Sequence, residues 1–148
     1  GVLEIRPDGD GAARAMRLAL EDAGLEPGDI GMIVAHGNGT AVSDASEVAA
    51  CRTIFGDNIP PVTGFKWALG HTIAASGVLD VALALKALEE QTVPGIATLK
   101  TLDPKLAPFP VASTDQKPRA ATALVLCRGF GGMNMAVIVG AAPATAQG

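Results

Sequence analysis

Apolar side chains recur along this chain at two spacings, one typical of helices and the other typical of buried strands. Residues 12–23 mix apolar and charged side chains at helical intervals, whereas residues 30–34 are apolar apart from one glycine. In chain order the pattern predicts a helix at 12–23, a strand at 30–34, a helix at 43–55, a strand at 60–65, a helix at 72–91, and strands at 121–127 and 134–140. We therefore expect an α/β fold in which helices pack a mixed sheet that closes with a hairpin.

The two ends of the chain indicate how the domain is organised. Residues 1–140 are expected to form one folded unit, and residues 141–148 are expected to form a disordered tail. The first predicted element is a helix, and the chain does not begin with methionine. We therefore expect that a strand preceding this helix belongs to a longer protein.

The helix predicted at 72–91 is apolar nearly all round. Ile73, Val78 and Leu79 point in different directions around the helix axis. A helix of this kind is normally covered on every side, and a chain of 148 residues has few segments left to cover it. We infer that the helix is buried inside a larger body or against a second chain.

Composition narrows the classes of function. The net charge of −4 and the lack of a basic stripe argue against binding to nucleic acid. The longest apolar region contains Asp80 and Lys86 and is too short for a membrane span. Cys51 and Cys127 lack the spacing of a zinc motif or a redox pair, so we expect free thiols and a cytoplasmic protein.

The chain has two histidines, and they occupy equivalent positions. His36 and His71 each follow the carboxyl end of a predicted strand, and each neighbours a glycine. Open α/β sheets place ligand crevices at such ends, so we expect one shared site. Two hydrogen-bond donors aimed at one developing oxyanion fit this pair better than a zinc centre, which would need a third ligand. The alternative is two solvated loop histidines.

A carboxylate on the apolar helix indicates an ion pair. Asp80 would lose hydration on a buried face, which is costly unless a cation pairs with it. Lys66, which follows the strand predicted at 60–65, is the natural partner because the helix folds back over that strand. The alternative is that Asp80 faces solvent.

The glycine-rich turn and the cysteines are weaker candidates for chemistry. Segment 129–132 predicts a hairpin turn, whose backbone N–H groups would also suit an anion. Cys51 lies in the middle of a predicted helix and is expected to pack in the core. Cys127 ends a predicted strand beside Arg128. Neither cysteine occupies the strand-to-helix turn typical of a nucleophile.

Three motifs, in this order, resemble one enzyme family. The first is AHGNGT with Asp44 and Glu47 downstream, the second is K-x-x-x-GHT-x-A-A-x-G from Lys66, and the third is GFGG-x-N from Gly129. Together they resemble the C-terminal half of the β-ketoacyl-acyl-carrier-protein synthases. These are the condensing enzymes of fatty-acid and polyketide synthesis, and they have the thiolase fold. The resemblance covers about residues 9–140.

The resemblance implies a decarboxylative Claisen condensation. A cysteine, expected in the N-terminal half and absent from this chain, would take an acyl group as a thioester. Malonyl-carrier protein would lose CO₂, and the resulting enolate would attack that thioester. His36 and His71 would donate hydrogen bonds to the thioester oxygen of the malonyl group. Lys66, held by Asp80, would support the site around His71.

Supporting residues follow from the same resemblance. The backbone N–H of Phe130 would contribute to an oxyanion hole, its side chain would gate the acyl pocket, and Thr40 would contact the pantetheine arm. The remaining implied members of the site are Asp44 and Glu47 on the second helix, Gly129 and Gly131 in the turn, and Asn38 in the pantetheine loop.

The resemblance also implies which other molecules take part. No metal or resident cofactor is required, since the phosphopantetheine arm arrives with the acyl carrier protein as part of the substrate. The expected protein partners are acyl carrier protein, the N-terminal half of the synthase, and a second subunit in a homodimer or heterodimer.

The chain departs from the family's pattern at three positions. Asn38 replaces Thr or Ser, Asp80 replaces Glu, and Arg128 ends a segment that commonly has the pattern N-S-F. An arginine at that position would favour an unusual or polar acyl chain. Two alternative functions stay open: a non-catalytic synthase-like partner such as a chain-length factor, and a free-standing acyl- or carrier-protein-binding module.

Overall fold

A four-stranded sheet forms the centre of the computed structural model, which describes residues 5–140. The tail predicted at 141–148 lies outside the described residues. The helices are α1 (Asp10–Ala23), α2 (Ala41–Phe55), α3 (Lys66–Leu69) and α4 (Ser76–Glu89). The strands are β1 (Met32–Val34), β2 (Val62–Thr63), β3 (Thr122–Gly129) and β4 (Met133–Gly140). None of these helices has the length and apolarity needed to cross a lipid bilayer.

The strand order is β2–β1–β3–β4. Strand β1 runs parallel to both of its neighbours, whereas β4 runs antiparallel to β3. A short 3-10 turn at Phe130–Gly132 joins β3 to β4, so the predicted closing hairpin is confirmed. The predicted α/β class with a mixed sheet packed by helices is confirmed as well.

Side chains that alternate along the strands divide the core into two layers. On one face of the sheet, Ile33 and Leu124 pack with α1 and α2. On the other face, Met32, Val34 and Val125 pack with α4. Because both faces of β1 are covered, every residue of this strand is buried, which explains its uninterrupted apolar sequence.

Strand β1 is shorter than the strand predicted at 30–34. The N–H of Ile30 donates to the carbonyl of Pro27 at 3.2 Å and closes a 3-10 turn. Gly31 follows, with its N–H bonded to the carbonyl of Thr122 and its carbonyl accepting from Arg119. The strand therefore begins at Met32, two residues later than the apolar run.

The helix predicted at 72–91 is interrupted near its start. Ile73 has a φ of 53°, and its N–H donates to Nδ1 of His71 at 3.2 Å. A β-branched residue with a left-handed φ cannot continue an α-helix. The segment therefore forms a 3-10 turn at Ile73–Ala75, and α4 begins at Ser76.

Helix α4 is covered on its sheet-facing side within the described part of the chain. Ala84 and Leu88 are buried against the sheet, whereas Val78 is 73% exposed on the outer side. Leu79 and Leu85 are also partly exposed. Cover for this outer side from a larger body or a second chain stays a prediction.

Replacing Gly31 with alanine is expected to destabilise the fold. A Cβ at this position would overlap the backbone carbonyl of Ala120, which cannot move without disturbing the start of β3. We expect the free energy of unfolding, measured by urea denaturation, to fall by about 1–3 kcal/mol. Gly28→Ala is the matched control, because no atom lies within 4 Å of the added Cβ. Equal stability of the two variants would contradict the prediction.

Candidate active site

The two histidines lie at one edge of the sheet. Strand β1 leads through Ala35 to His36, and β2 leads to Lys66, five residues before His71. Because β1 and β2 are parallel, their carboxyl ends meet at this edge. The centroids of the two imidazole rings are 5.2 Å apart, and the ring planes are nearly perpendicular, at 79°. The structure therefore brings the two predicted donors into one place.

A buried carboxylate holds the loop that carries His36. The N–H of His36 donates to Oε1 of Glu47, and the N–H of Gly37 donates to Oε2, both at 2.8 Å. Burial raises the pKa of Glu47, whereas these two N–H groups and the charge of Arg128 lower it. The carboxylate of Glu47 therefore fixes the loop that precedes α2.

The start of α2 differs from the helix predicted at 43–55. The helix begins at Ala41 with Thr40 as its N-cap residue, and no side chain provides the capping bond. Ser43 is buried in the first turn, and within the described residues its Oγ has no hydrogen-bond partner. Burial raises the pKa of Asp44, while the N–H of Gly39 lowers it. The supporting role predicted for Asp44 stays a prediction.

Both imidazoles accept a backbone hydrogen bond at Nδ1. The N–H of Arg128 lies 3.4 Å from Nδ1 of His36, and the N–H of Ile73 lies 3.2 Å from Nδ1 of His71. An imidazole that accepts at Nδ1 carries its hydrogen at Nε2. Each ring is therefore left with one N–H group to donate, at Nε2.

The surroundings of His36 keep its ring neutral. The residue is 2% exposed. Burial, followed by the electrostatic effects of Lys66, His71 and Arg128, lowers the pKa of His36 from 6.5 to about 4. At neutral pH this imidazole is therefore a hydrogen-bond donor without a net charge.

The predicted ion pair between Lys66 and Asp80 is present. Nζ of Lys66 lies 2.7 Å from Oδ2 of Asp80, and the two side chains are 6% and 4% exposed. The alternative, an Asp80 that faces solvent, is therefore wrong. Apolar Phe65 and Leu69 line a small hollow beside the pair. Asp80 reaches the lysine although its side chain is shorter than the glutamate that the resemblance implies at this position.

The remaining predicted members of the site lie in two loops. Phe130 is 84% exposed in the turn that follows Gly129, and Gly131 has a φ of 78°. In the other loop, Oδ1 of Asn38 accepts hydrogen bonds from the N–H of Thr40, at 3.0 Å, and from its hydroxyl, at 2.9 Å. The roles of these residues in substrate binding stay predictions.

Arg128 has contacts that the sequence analysis missed. Its guanidinium donates to Oδ1 of Asn134 at 2.9 Å, to the carbonyl of Ser43 at 3.2 Å and to Oγ of Ser46 at 3.1 Å. These bonds direct it toward the start of α2, and they do not support the expected effect on a polar acyl chain. The alternation of side chains along β3 could have indicated this orientation, because it places residue 128 on the face of the sheet that packs against α1 and α2.

The cysteines do not join this group of residues. Cys51 is buried in the core, where desolvation, assisted by the charge of Glu47, raises the pKa of its thiol to about 12. Cys127 is half-buried on β3, and its Sγ lies against Gly77. Within residues 5–140, no three His, Cys, Asp or Glu side chains are grouped to hold a metal ion.

Comparison with known families identifies the chain. Residues 2–100 match the family model described as the C-terminal domain of beta-ketoacyl synthase, which is more than half of the 148 residues. The chain belongs to the β-ketoacyl synthase C-terminal domain family.

Curated relatives of this synthase domain include 3-oxoacyl-[acyl-carrier-protein] synthases and polyketide synthase subunits. The 3-oxoacyl-[acyl-carrier-protein] synthase 2 of Mycobacterium tuberculosis is 37% identical over 134 residues, which cover 90% of this chain and 32% of the relative. The tetracenomycin polyketide synthase ketoacyl synthase beta subunit of Streptomyces glaucescens is 37% identical over 129 residues, covering 87% and 32%. The synthase domain therefore spans about a third of the length of these relatives.

Solved structures place the domain in the predicted thiolase-like fold. A ketosynthase in complex with its chain length factor from Xenorhabdus doucetiae superposes with a TM-score of 0.87 at 31% identity, covering 95% of this chain and 36% of that one. A type II ketosynthase in complex with its acyl-carrier protein superposes with a TM-score of 0.89 at 27% identity, covering 96% and 35%. The prediction of a C-terminal synthase half is confirmed.

We expect His36 of the synthase domain to titrate near pH 4, well below an ordinary histidine, because burial and nearby cations disfavour its charged form. NMR of ¹⁵N-labelled histidine measures the midpoint, and His36→Gln identifies the signal by removing it. Between pH 6.5 and about 4 the unfolded chain binds a proton that folded His36 does not, so His36 contributes a loss of stability as the pH falls through this range. A midpoint near 6.5 would refute the prediction.

Lys66→Met is expected to destabilise the domain strongly, because it leaves the buried Asp80 carboxylate without its cation. The expected loss is about 3–5 kcal/mol in the free energy of unfolding. The double variant Lys66→Met/Asp80→Asn should recover part of it, since no buried charge remains. Lys86→Met, which removes an exposed ion pair with Glu90, is the control and should have little effect. The prediction fails if the two single lysine variants are equally stable.

Proposed function

We propose that this domain supplies the enolate-stabilising part of a β-ketoacyl synthase active site. The observation that carries the proposal is the pairing of His36 and His71, whose ring centroids are 5.2 Å apart and whose Nδ1 atoms each accept a backbone N–H. Two adjacent imidazoles with Nε2–H groups free to donate suit an oxygen that gains negative charge during a reaction.

The proposed reaction is a decarboxylative Claisen condensation. An acyl group is held as a thioester on a cysteine outside this chain, and malonyl-carrier protein binds beside it. Breaking the bond between the malonyl α-carbon and its carboxylate releases CO₂ and leaves an enolate, whose charge lies largely on the thioester oxygen. The enolate carbon then attacks the acyl carbonyl, and the cysteine thiolate leaves.

His36 and His71 donate their Nε2–H groups to the malonyl thioester oxygen. Because their Nδ1 atoms are already bonded to backbone, the rings need no reorientation when charge develops on that oxygen. Lys66 adds a fixed positive charge near His36, and Asp80 holds that lysine at the edge of the sheet. Glu47 positions His36 by bonding the backbone of its loop.

The two exposed loops bind the rest of the substrate. The hydroxyl hydrogen of Thr40 is donated to Asn38, so its lone pairs accept an amide N–H of the pantetheine arm. The side-chain amide of Asn38 donates to a pantetheine carbonyl. The exposed Phe130 lies in a glycine-rich turn, where its side chain gates the acyl pocket and its N–H joins the oxyanion hole.

Acyl carrier protein and the N-terminal part of a synthase are the proposed partners. The relatives are about three times as long as the aligned segment, and the outer side of α4 is apolar and exposed at Val78. One of the similar structures is a ketosynthase with its acyl-carrier protein. A dimer of the full-length protein and a cytoplasmic location complete the proposal.

A second candidate function is a non-catalytic chain-length factor. Support comes from the 37% identity to a ketoacyl synthase beta subunit and from similar structures that contain a chain length factor. The convergence of both imidazoles with the Lys66–Asp80 pair favours the catalytic function, because a non-catalytic subunit does not need a buried imidazole beside a buried ion pair.

In the full-length protein, His36→Ala and His71→Ala are each expected to lower the rate of malonyl decarboxylation by about 10²–10³-fold, the usual effect of losing one oxyanion donor. Transfer of an acyl group to the enzyme should continue, since it does not use these donors. Both steps are measured with carrier-protein thioesters by mass spectrometry. Normal decarboxylation in both variants would refute the proposed roles, and absence of acylation in the parent protein would favour the chain-length factor.

A further inference from the structure

Arg128 joins three elements through its side chain. It extends from the end of β3 toward α2, where Nη1 donates to the carbonyl of Ser43 and Nη2 donates to Oγ of Ser46. Nε donates to Oδ1 of Asn134, its cross-strand neighbour on β4. All three nitrogens of the guanidinium therefore donate a hydrogen bond, which fixes the plane of the group.

The acceptors of Arg128 are themselves held in place. The hydroxyl of Ser46 donates to the carbonyl of Arg6 at 2.7 Å, which connects the cluster to the segment before α1. The side-chain amide of Asn134 donates to the carbonyl of Gly132 and packs over Gly11, where an added Cβ would lie 2.6 Å from Nδ2. The guanidinium thus ties the end of the hairpin to both helices of this face.

The backbone of the same residue contacts the imidazole. The N–H of Arg128 lies 3.4 Å from Nδ1 of His36, so the position of β3 at this residue decides whether the ring keeps its Nε2–H form. Glu47 bonds the backbone N–H groups of His36 and Gly37. The backbone of His36 is therefore held from α2, and its ring is held from β3.

The guanidinium also balances charge in this region. Its positive charge lowers the pKa of both Glu47 and Asp44, and so opposes the effect of burial on the two carboxyl groups. A neutral apolar side chain at 128 would leave these carboxyl groups without that opposing charge. Arg128 therefore stabilises the ionised carboxylate that holds the His36 loop.

We propose that Arg128 is a positioning residue for His36: its guanidinium fixes the end of β3 against α2, so that its own N–H meets Nδ1 of the imidazole. The inference rests on the proposed function, because His36 is the ring assigned to the enolate oxygen. Arg128 acts through His36 and does not itself touch the substrate.

The test uses the full-length protein with Arg128→Met, which removes the three side-chain bonds and keeps a long side chain. The kcat of malonyl decarboxylation is expected to fall about tenfold or more, because a displaced donor stabilises the transition state less. KM should change little and acyl transfer should continue, since neither depends on this donor. Arg128→Lys keeps the charge without the planar fork, and its kcat should lie between those of the parent and Arg128→Met.

NMR of ¹⁵N-labelled histidine gives a second measurement that a general loss of stability would not change. We expect the parent His36 to have its hydrogen at Nε2, and we expect Arg128→Met to show a mixture of both tautomers. Arg52→Met is the matched control on α2 and should alter neither kcat nor the tautomer. It removes a guanidinium that also bonds three acceptors, the carbonyls of Leu106, Ala107 and Pro108.

The inference is overturned if Arg128→Met keeps the parent's kcat and tautomer, or if Arg52→Met loses as much activity. Should Arg128→Met fail to fold, Arg128→Lys decides: parent-like kcat and tautomer overturn the inference, and a partial loss of both supports it. If His36→Ala leaves decarboxylation intact, the proposed function itself has failed. If His36→Ala abolishes decarboxylation while both Arg128 variants behave as the parent, the inference about Arg128 alone has failed.

Discussion

The Glu47 carboxylate accepts the N–H groups of His36 and Gly37, each at 2.8 Å, from a position that is almost completely buried. A carboxylate in such a place is tolerable only while its donors stay in position, and the loop in turn needs an acceptor for two adjacent N–H groups. Helix α2 and the loop after β1 therefore fix each other. The burial of the His36 ring, its lowered pKa and its contact with Arg128 all depend on this arrangement.

The parts of the site that follow from regular geometry could be predicted from the sequence. Parallel strands bring their carboxyl ends to one edge, so the approach of His36 and His71 follows from where the apolar runs end. The cost of burying a lone charge likewise predicts the pairing of Lys66 with Asp80, which lie on α3 and α4 in the structure. The α/β class and the closing hairpin follow from the spacing of apolar residues and from the glycine-rich turn.

The parts that depend on contacts between distant segments could not be predicted in this way. A carboxylate near a helix start is typical of a cap, yet Glu47 accepts from the backbone N–H groups of the preceding loop. The left-handed φ of Ile73 is unexpected for a β-branched residue in an apolar helical run, and it accompanies a bond to His71. Arg128 meets partners more than 80 positions earlier in the chain. The alternation along β3 indicates the face of the sheet on which Arg128 lies, but it does not indicate these partners.

The exposed outer side of α4 lies on the same helix as Asp80, which pairs with Lys66 beside His36. Met135 and Val137 on β4 lie on the same side of the sheet as α4 and are also exposed, so the apolar surface extends from the helix onto the strand. Covering this surface would stabilise α4, which carries Asp80 on its inner side and through it holds Lys66. A partner that buries Val78 would therefore also hold the lysine beside His36. Cover of the outer side of α4 would therefore affect the electrostatic environment of His36 through the position of Lys66.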